Sequence, residues 1–291
     1  MGKTRFLANL FCLLAASTAA AQDNRNTRVP VGIVDSPCPP AISMPAGAAE
    51  ILTALFMEPG TLSAEDFEQL SNNKAFADYL ATVNANTIED WPGLCRFRAD
   101  NDALIAAGVK PRFVFMGDSI TENWLLGDPG LFGRDMVNRG ISGQTSPQML
   151  LRFRNDVVDL KPEIVHVLAG TNDIAGNTGP LRAEDFKNNI RSMVDLAKAN
   201  GIEVILGSIP PAAAFSWQPA VNPVPRVREL NDWLQNFAAE KDLGYIDYFT
   251  ALSGPSGELR SELGNDGVHP NRDGYVIMRR LLEAQLAAMT N

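Results

Sequence analysis

Residues 113–122, FVFMGDSITE, decide the fold. Phe113-Val114-Phe115-Met116 is a short, uncharged apolar run stopped by Gly117, and a polar segment suited to open a helix follows at once. A strand that is apolar on both faces and turns tightly into a helix is the repeating unit of a parallel sheet covered on both sides. Working toward the C-terminus, comparable runs recur. Asp135-Met136-Val137 is a weak second strand, Glu163 to Leu168 (EIVHVL) a third ended by Ala169-Gly170, Glu203 to Gly207 a fourth, and Leu243 to Asp247 (LGYID) holds a fifth. Helical spacing separates them: Leu150, Phe153, Val157 and Leu160; Phe186, Ile190, Met193 and Ala197; Val227, Leu230, Leu234 and Phe237; and finally Tyr275, Met278, Leu282 and Leu286. Each set recurs at three- and four-residue intervals, the period of one helix face. Short strands alternating with amphipathic helices give one α/β domain with a five-stranded parallel sheet, and ligands in such sheets bind at the carboxyl ends of the strands.

Working back from residue 113, the chain has a different character. Ala48 to Ala107 reads as helical pieces broken at Pro59-Gly60 and around Asn84-Ala85-Asn86, with Ser63 as an N-cap candidate in Thr61–Glu65. A further helix is expected from near Glu89 toward Ala107, with Asp90-Trp91 in its first turns. Gln22 to Gly47, rich in Pro, Asn and small residues, reads as an irregular arm. At the start, Lys3 and Arg5 precede an uncharged, mostly apolar stretch from Phe6 to Ala16, and small residues run from Ser17 to Ala21. This is the pattern of a cleavable secretory signal, with Ala19 and Ala21 before a cut at Gln22. The apolar stretch falls short of the roughly 20 residues that cross a bilayer. Cys12 does not fit a lipid-attachment site, because bulky Phe11 precedes it. The expected organisation is therefore a signal peptide at 1–21, a helical or irregular extension at 22–88, and the α/β domain at 89–291.

Composition narrows the function. Of the 291 residues, 45% are hydrophobic and 20% charged, which excludes a wholly disordered chain. The formal charge of -9 becomes -11 once the two signal-peptide cations are lost, and no basic stripe exists to hold a phosphate backbone, so nucleic acid is not an expected partner. No segment after the signal is apolar enough to span a membrane. Three Cys and two His leave little material for multi-ligand zinc sites. An exported chain meets an oxidising compartment, where Cys38 and Cys95 would pair as a disulfide, the alternative being two separate thiols.

The chemistry-bearing residues lie in the loops after the strands. Ser119 stands at a strand-to-helix turn, where free backbone N–H groups and the helix dipole favour developing negative charge. Such a serine is a candidate nucleophile or simply an N-cap. Only two His exist to serve as its base. His166 alternates with Val165 and Val167 inside a strand and reads as a core residue. His269 lies in a loop before the last helix, and Asp266, three residues earlier, is placed to hold its Nδ1–H and leave Nε2 for the serine. After the second and third strands come Gly143 and Asn172, whose backbone N–H and side-chain amide would complete an oxyanion hole with the Ser119 N–H. Asp118 and Asp173 read as structural hydrogen-bonding residues, and Glu122 as suited to a helix N-terminus. Trp124 and Trp217 are candidate substrate-binding aromatics, as a sugar platform or an acyl wall, with burial in the core as the alternative. There is no G-x-S-x-G, no Walker A loop and no G-x-G-x-x-G.

Four blocks, GDSITE at 117–122, ISGQTS at 141–146, GTND at 170–173 and DGVH at 266–269, together resemble the SGNH (GDSL-type) hydrolases, in that family's order and over roughly Trp91 to the C-terminus. The resemblance implies a three-layer α/β/α sandwich with a flavodoxin-like sheet. It implies Ser119 as nucleophile, His269 as base, Asp266 as orienting acid, and Ser119, Gly143 and Asn172 as oxyanion donors, without metal or organic cofactor. The expected activity is that of a periplasmic or extracellular esterase acting on a small-molecule or polysaccharide ester, O-acetylated carbohydrate first. A lipid or aryl esterase, a thioesterase or lysophospholipase, an acyl transfer to another alcohol, and a non-catalytic carbohydrate-binding scaffold are the alternatives. Residues Gln22 to Glu89 match no motif of the family.

Overall fold

The computed structural model describes residues 32–39, 42–58 and 72–289. The signal-peptide reading, the Pro59-Gly60 break and the Ser63 cap lie outside them. Among the described residues the order is α1 (Ala46–Met57), α2 (Lys74–Glu89), α3 (Arg98–Ala106), β1 (Phe113–Gly117), α4 (Ser119–Gly127), β2 (Met136–Gly140), α5 (Ser146–Asp156), β3 (Ile164–Leu168), α6 (Thr171–Ala175), α7 (Ala183–Ala199), β4 (Glu203–Gly207), α8 (Val224–Lys241), β5 (Gly244–Ile246), α9 (Tyr248–Leu252) and α10 (Arg272–Met289). The five strands are parallel in the order β2-β1-β3-β4-β5. This is the flavodoxin-like order, and the direction of winding reverses at β1, so that the carboxyl ends of β1 and β3 flank the crevice where such sheets bind ligands.

Both sheet faces are buried, and the strands divide their residues between them with period two. Val114, Met116, Val165, Val167, Val204 and Leu206 face one core with Met149 and Phe153 of α5, Phe186, Ile190 and Met193 of α7, and Leu230 and Leu234 of α8. Phe113, Phe115, Ile164, Leu168 and Ile205 face the other with Ile120 and Trp124 of α4, Tyr248 of α9, and Tyr275, Met278 and Leu282 of α10. Each fully buried side chain of this size contributes about 1.5–3 kcal/mol by leaving water. Trp124 is fully buried there, between Phe115 and Tyr275. It is therefore a core residue without a substrate-facing surface, which corrects its candidacy as a binding aromatic.

Three boundaries differ from expectation. Helix α2 runs unbroken through Asn84-Ala85-Asn86. Asn costs a helix interior only about 0.7 kcal/mol, and no Gly or Pro interrupts the stretch. Conversely, α2 ends at Glu89, and Asp90-Trp91 lie in a turn before α3. Asp90 folds that turn by accepting from the N–H groups of Leu94 (2.9 Å) and Cys95 (2.6 Å), and Pro92-Gly93 interrupt any helix there. Strand β2 extends past Val137 to Gly140, because the polar Asn138 and Arg139 find partners inside the fold: Asn138 donates to the Thr121 carbonyl at 2.6 Å, and Arg139 donates to Asn101 at 3.0 Å and Asp100 at 2.6 Å. Cys38 and Cys95 are joined in a disulfide, Cα atoms 5.4 Å apart, which ties the N-terminal arm to the turn before α3.

Among the described residues, the most buried cation is Arg152 of α5, with no exposure, paired to the almost fully buried Asp156 at 3.0 Å. Its guanidinium also donates to Gln144 Oε1 (2.6 Å) and to the carbonyls of Arg139 (2.8 Å) and Gly117 (3.0 Å). Removing one partner of such a pair strands the other in a dry interior. Arg152→Met is expected to cost about 3–5 kcal/mol, read as a lowered urea midpoint with unchanged slope, and Arg152→Met/Asp156→Leu should recover part of it. A single-variant loss below about 1 kcal/mol, the range of exposed pairs, would refute this assignment.

Candidate active site

The β1–α4 turn presents Ser119 at the carboxyl edge of the sheet. Asp118, not Ser119, caps α4: its Oδ1 accepts from the Ile120 N–H at 2.9 Å. Ser119 is thus the first residue of the helix, half-buried, with its hydroxyl left for other partners. Its N–H has no carbonyl to meet within the helix. Tyr275 of α10 donates to the Ile120 carbonyl at 2.7 Å and fixes this turn from behind.

The loop before α10 curls back on itself. Asp266 Oδ1 accepts from the N–H groups of Val268 (2.9 Å) and His269 (2.8 Å), and its Oδ2 lies 2.7 Å from His269 Nδ1. Gly267, at φ +80°, takes the left-handed conformation that this curl requires. His269 Nε2 then lies 2.8 Å from Ser119 Oγ, 150 residues away in sequence. Burial pushes the Asp266 carboxyl up, but His269 and two backbone N–H groups outweigh it and hold it below its ordinary value. Asp266 is therefore ionised and can only accept, so Nδ1 of His269 carries the hydrogen and Nε2 is free to accept from the serine hydroxyl. Burial pulls the imidazole down, but the Asp266 charge and hydrogen bond, helped by Asp118, raise it above the ordinary 6.5.

On the other side of Ser119, Gly143 is exposed and left-handed at φ +78°, a conformation that leaves its backbone open to an approaching group. Glu122 holds the residue before it: Oε2 accepts from the Ser142 N–H (2.7 Å) and hydroxyl (2.6 Å), while Oε1 accepts from Arg96 (3.0 Å). Asn172 is the second residue of α6, shortly after β3. Its amide donates to the Gln144 carbonyl at 3.1 Å and, at a longer 3.3 Å, to Asp118 Oδ2. Its Oδ1 accepts from Asn177 at 2.7 Å, and Asn177 in turn accepts from the Trp217 indole N–H at 3.0 Å. Asp173 fixes the neighbouring loop by accepting from the Ser146 N–H and hydroxyl. Burial raises Asp118 to about 7 and Asp173 to about 6.

The structure thus brings Ser119, His269 and Asp266 into one hydrogen-bonded line, with Gly143 in the loop after β2, Asn172 in the first turn of α6 and Trp217 beyond Asn177. His166 is fully buried on β3, shares a 3.1 Å hydrogen bond with the Tyr248 hydroxyl, and is pushed down to about 3 by burial alone. Among the described residues no group of three or more His, Cys, Asp or Glu is arranged to hold a metal ion, and no helix is long and apolar enough to cross a membrane. The sequence reading missed Asn177, Gln144, Arg152 and Phe56, whose ring lies 5.3 Å from that of His269. Gln144 falls inside the ISGQTS block, so the block itself was the available signal. Nothing in the spacing marked the others.

Residues 115–277 match the GDSL-like lipase/acylhydrolase family. A proposed acylhydrolase from Bacteroides fragilis is 40% identical, with a TM-score of 0.65 over 69% of this chain and 99% of its own. A GDSL-like lipase from Bacteroides thetaiotaomicron is also 40% identical, with a TM-score of 0.64 over 68% of this chain and 98% of its own. A 75-residue stretch, 25% of this chain, is 39% identical to the uncharacterized lipoprotein YqeF of Bacillus subtilis and spans 31% of that protein's length.

Because the chain has two His, its imidazoles are separable by NMR, with His166→Gln as the assignment control. His269 should titrate above 6.5, whereas His166 should stay neutral down to about 3. The signs for stability are opposite. His269 adds stability that is full below 6.5 and lost as pH rises through its folded value; the neutral His166 subtracts stability as pH falls from 6.5 toward 3. Two ordinary titrations near 6.5 would contradict the buried geometry of both rings.

Proposed function

The chain belongs to the GDSL-like lipase/acylhydrolase family, and on that premise we propose that it is an exported serine esterase that removes short acyl groups, O-acetyl first, from carbohydrate. One observation carries the reading: Ser119 Oγ, His269 and Asp266 form a continuous line of contacts at 2.8 and 2.7 Å. Nucleophile, base and orienting carboxylate in that order are what activates an alcohol for attack on an ester. Ser119 Oγ attacks the carbonyl carbon while its proton passes to His269 Nε2. The resulting imidazolium is stabilised by Asp266, which stays ionised. The oxyanion is held by the N–H groups of Ser119 and Gly143 and by the Asn172 amide, whose longer bond to Asp118 is the one exchanged for it. His269 then returns the proton to the leaving alcohol, and water repeats the sequence on the acyl-enzyme.

Asn177 supports this arrangement from behind, because a donor on Asn172 Oδ1 turns its NH2 group toward the site. Trp217 offers a half-buried indole beside that relay, a surface suited to the apolar face of a sugar. Export is supported by the Lys3–Arg5 and Phe6–Ala16 pattern and by the Cys38–Cys95 disulfide, a bond kept in oxidising compartments. The periplasm or the extracellular space is the proposed location.

Hydrolysis of p-nitrophenyl acetate, butyrate and octanoate tests the reading. Acetate should be preferred, and Ser119→Ala should lower kcat on the order of 10⁶-fold, as loss of a serine nucleophile does elsewhere. Equal turnover by both proteins would remove Ser119 from the role, and a preference for octanoate would favour the lipid-ester alternative. The kcat/KM profile should rise with pH through the raised His269 value, since the base acts in its neutral form. Asp266→Asn should lower kcat about 10⁴-fold and move that limb to lower pH. Asn172→Ala should cost about 10²–10³ in kcat, with a far smaller change in KM; a loss confined to KM would make Asn172 a ground-state contact.

A further inference from the structure

The family match begins at residue 115, and helix α1 lies well before it. Its C-terminal end nonetheless reaches the loop that carries His269. Asn265, the residue before Asp266, donates through Nδ2 to the carbonyls of Leu55 at 2.6 Å and Glu58 at 3.2 Å. Carbonyls at a helix end have no partner within the helix, so a side chain that meets them fixes the helix end to its own loop. Met57, 1% exposed, anchors the same end in the core beside Ile120, Trp124 and Tyr275. Between these two anchors stands Phe56. Its ring meets that of His269 edge to face, with centroids 5.3 Å apart and planes at 69°.

From this juxtaposition we propose that Phe56 is a positioning residue for His269, so that the N-terminal extension completes the active site. The inference rests on His269 being the base. Asp266 grips the imidazole at Nδ1, and a hydrogen bond at one ring atom fixes direction more firmly than tilt. An aromatic edge against the ring resists the tilt and keeps Nε2 aimed at Ser119. It also keeps water from one side of the His269–Asp266 pair, where a low dielectric strengthens their attraction. Among the described residues, the charged groups that act on His269 include Asp266 on its own loop and Asp118 at the start of α4; α1 brings an apolar edge to the same ring. The disulfide between Cys38 and Cys95 spans α1, so the extension is held to the domain covalently on one side and by Asn265 and Met57 on the other.

The test uses the full chain, p-nitrophenyl acetate and four variants. Phe56→Ala should lower kcat about 2- to 12-fold, the rate equivalent of an aromatic pair, with KM within about twofold. Its kcat/KM limb should move to lower pH, because admitting water weakens the Asp266 attraction that holds the imidazole above its ordinary value. Phe56→Tyr should restore both. Should Phe56→Ala fail to fold, Phe56→Leu carries the same reading through the NMR titration of His269, which should move downward. His269→Gln is the control for the underlying assignment. Turnover surviving in it would overturn the base assignment and this inference together. Turnover lost there, with kcat and the pH limb of the Phe56 variants unchanged while only Tm falls, would overturn the positioning role alone.

Discussion

The Arg152 guanidinium meets three separate pieces of the fold at once. It donates to the carbonyl of Gly117, immediately before Asp118-Ser119; to the carbonyl of Arg139, near the end of β2; and to the side chain of Gln144, immediately after Gly143. Asp156, one turn along α5, balances the charge without solvent. Two loops that leave different strands are thereby referred to one rigid cation. Gln144 extends the connection, since its carbonyl accepts from Asn172 and its amide donates to the Pro92 carbonyl. The relative position of Ser119, Gly143 and Asn172 therefore follows from a polar cluster beneath them more than from any contact among themselves.

That cluster lies where the sheet order changes direction. On either side of β1 the crossovers run to opposite faces, and the loops after β1 and β3 diverge to leave a crevice. The crevice is lined by backbone N–H groups and short polar side chains, while apolar cores close both faces of the sheet beneath it. Burial there raises Asp118 and Asp173, and it is opposed at Asp266 by the imidazole it holds. Three aspartates within one site thus differ in charge behaviour because their partners differ: a backbone N–H and an amide for Asp118, a backbone N–H and a hydroxyl for Asp173, and for Asp266 a histidine besides two backbone N–H groups.

Much of this was legible in the sequence. The five strands and the four long helices of the α/β domain announced themselves by period, because apolar burial on two sheet faces and one helix face leaves a regular imprint. Ser119, His269 and Asp266 could be grouped from the loops that follow strands and from the scarcity of histidine. What escaped was polar burial. On α5 an apolar stripe through Leu150, Phe153, Val157 and Leu160 was expected, and these residues do meet the core, the last two just past the helix end, but the buried face also carries the charged Arg152 and Asp156. An ion pair at i,i+4 looks like a solvated surface until the fold shows both partners dry. The same blindness shortened β2 at Asn138. Trp124 illustrates the reverse error, since an indole near a loop is as readily core as platform until its neighbours are known. Phe56 was beyond reach, because nothing in local spacing says which distant ring a helix end will meet.

The bond between Ser119 and His269 closes over 150 residues of sequence. During synthesis the serine, its turn and the first strands all emerge while the histidine has yet to be made. The intervening strands β3, β4 and β5 must pair in parallel before α10 can bring the last loop home, and such pairings are slow because each requires a long crossover to be ordered first. Until then Ser119 is an ordinary alcohol. On the proposed reading, the serine is activated only when the last loop of the domain has been made and folded back onto it.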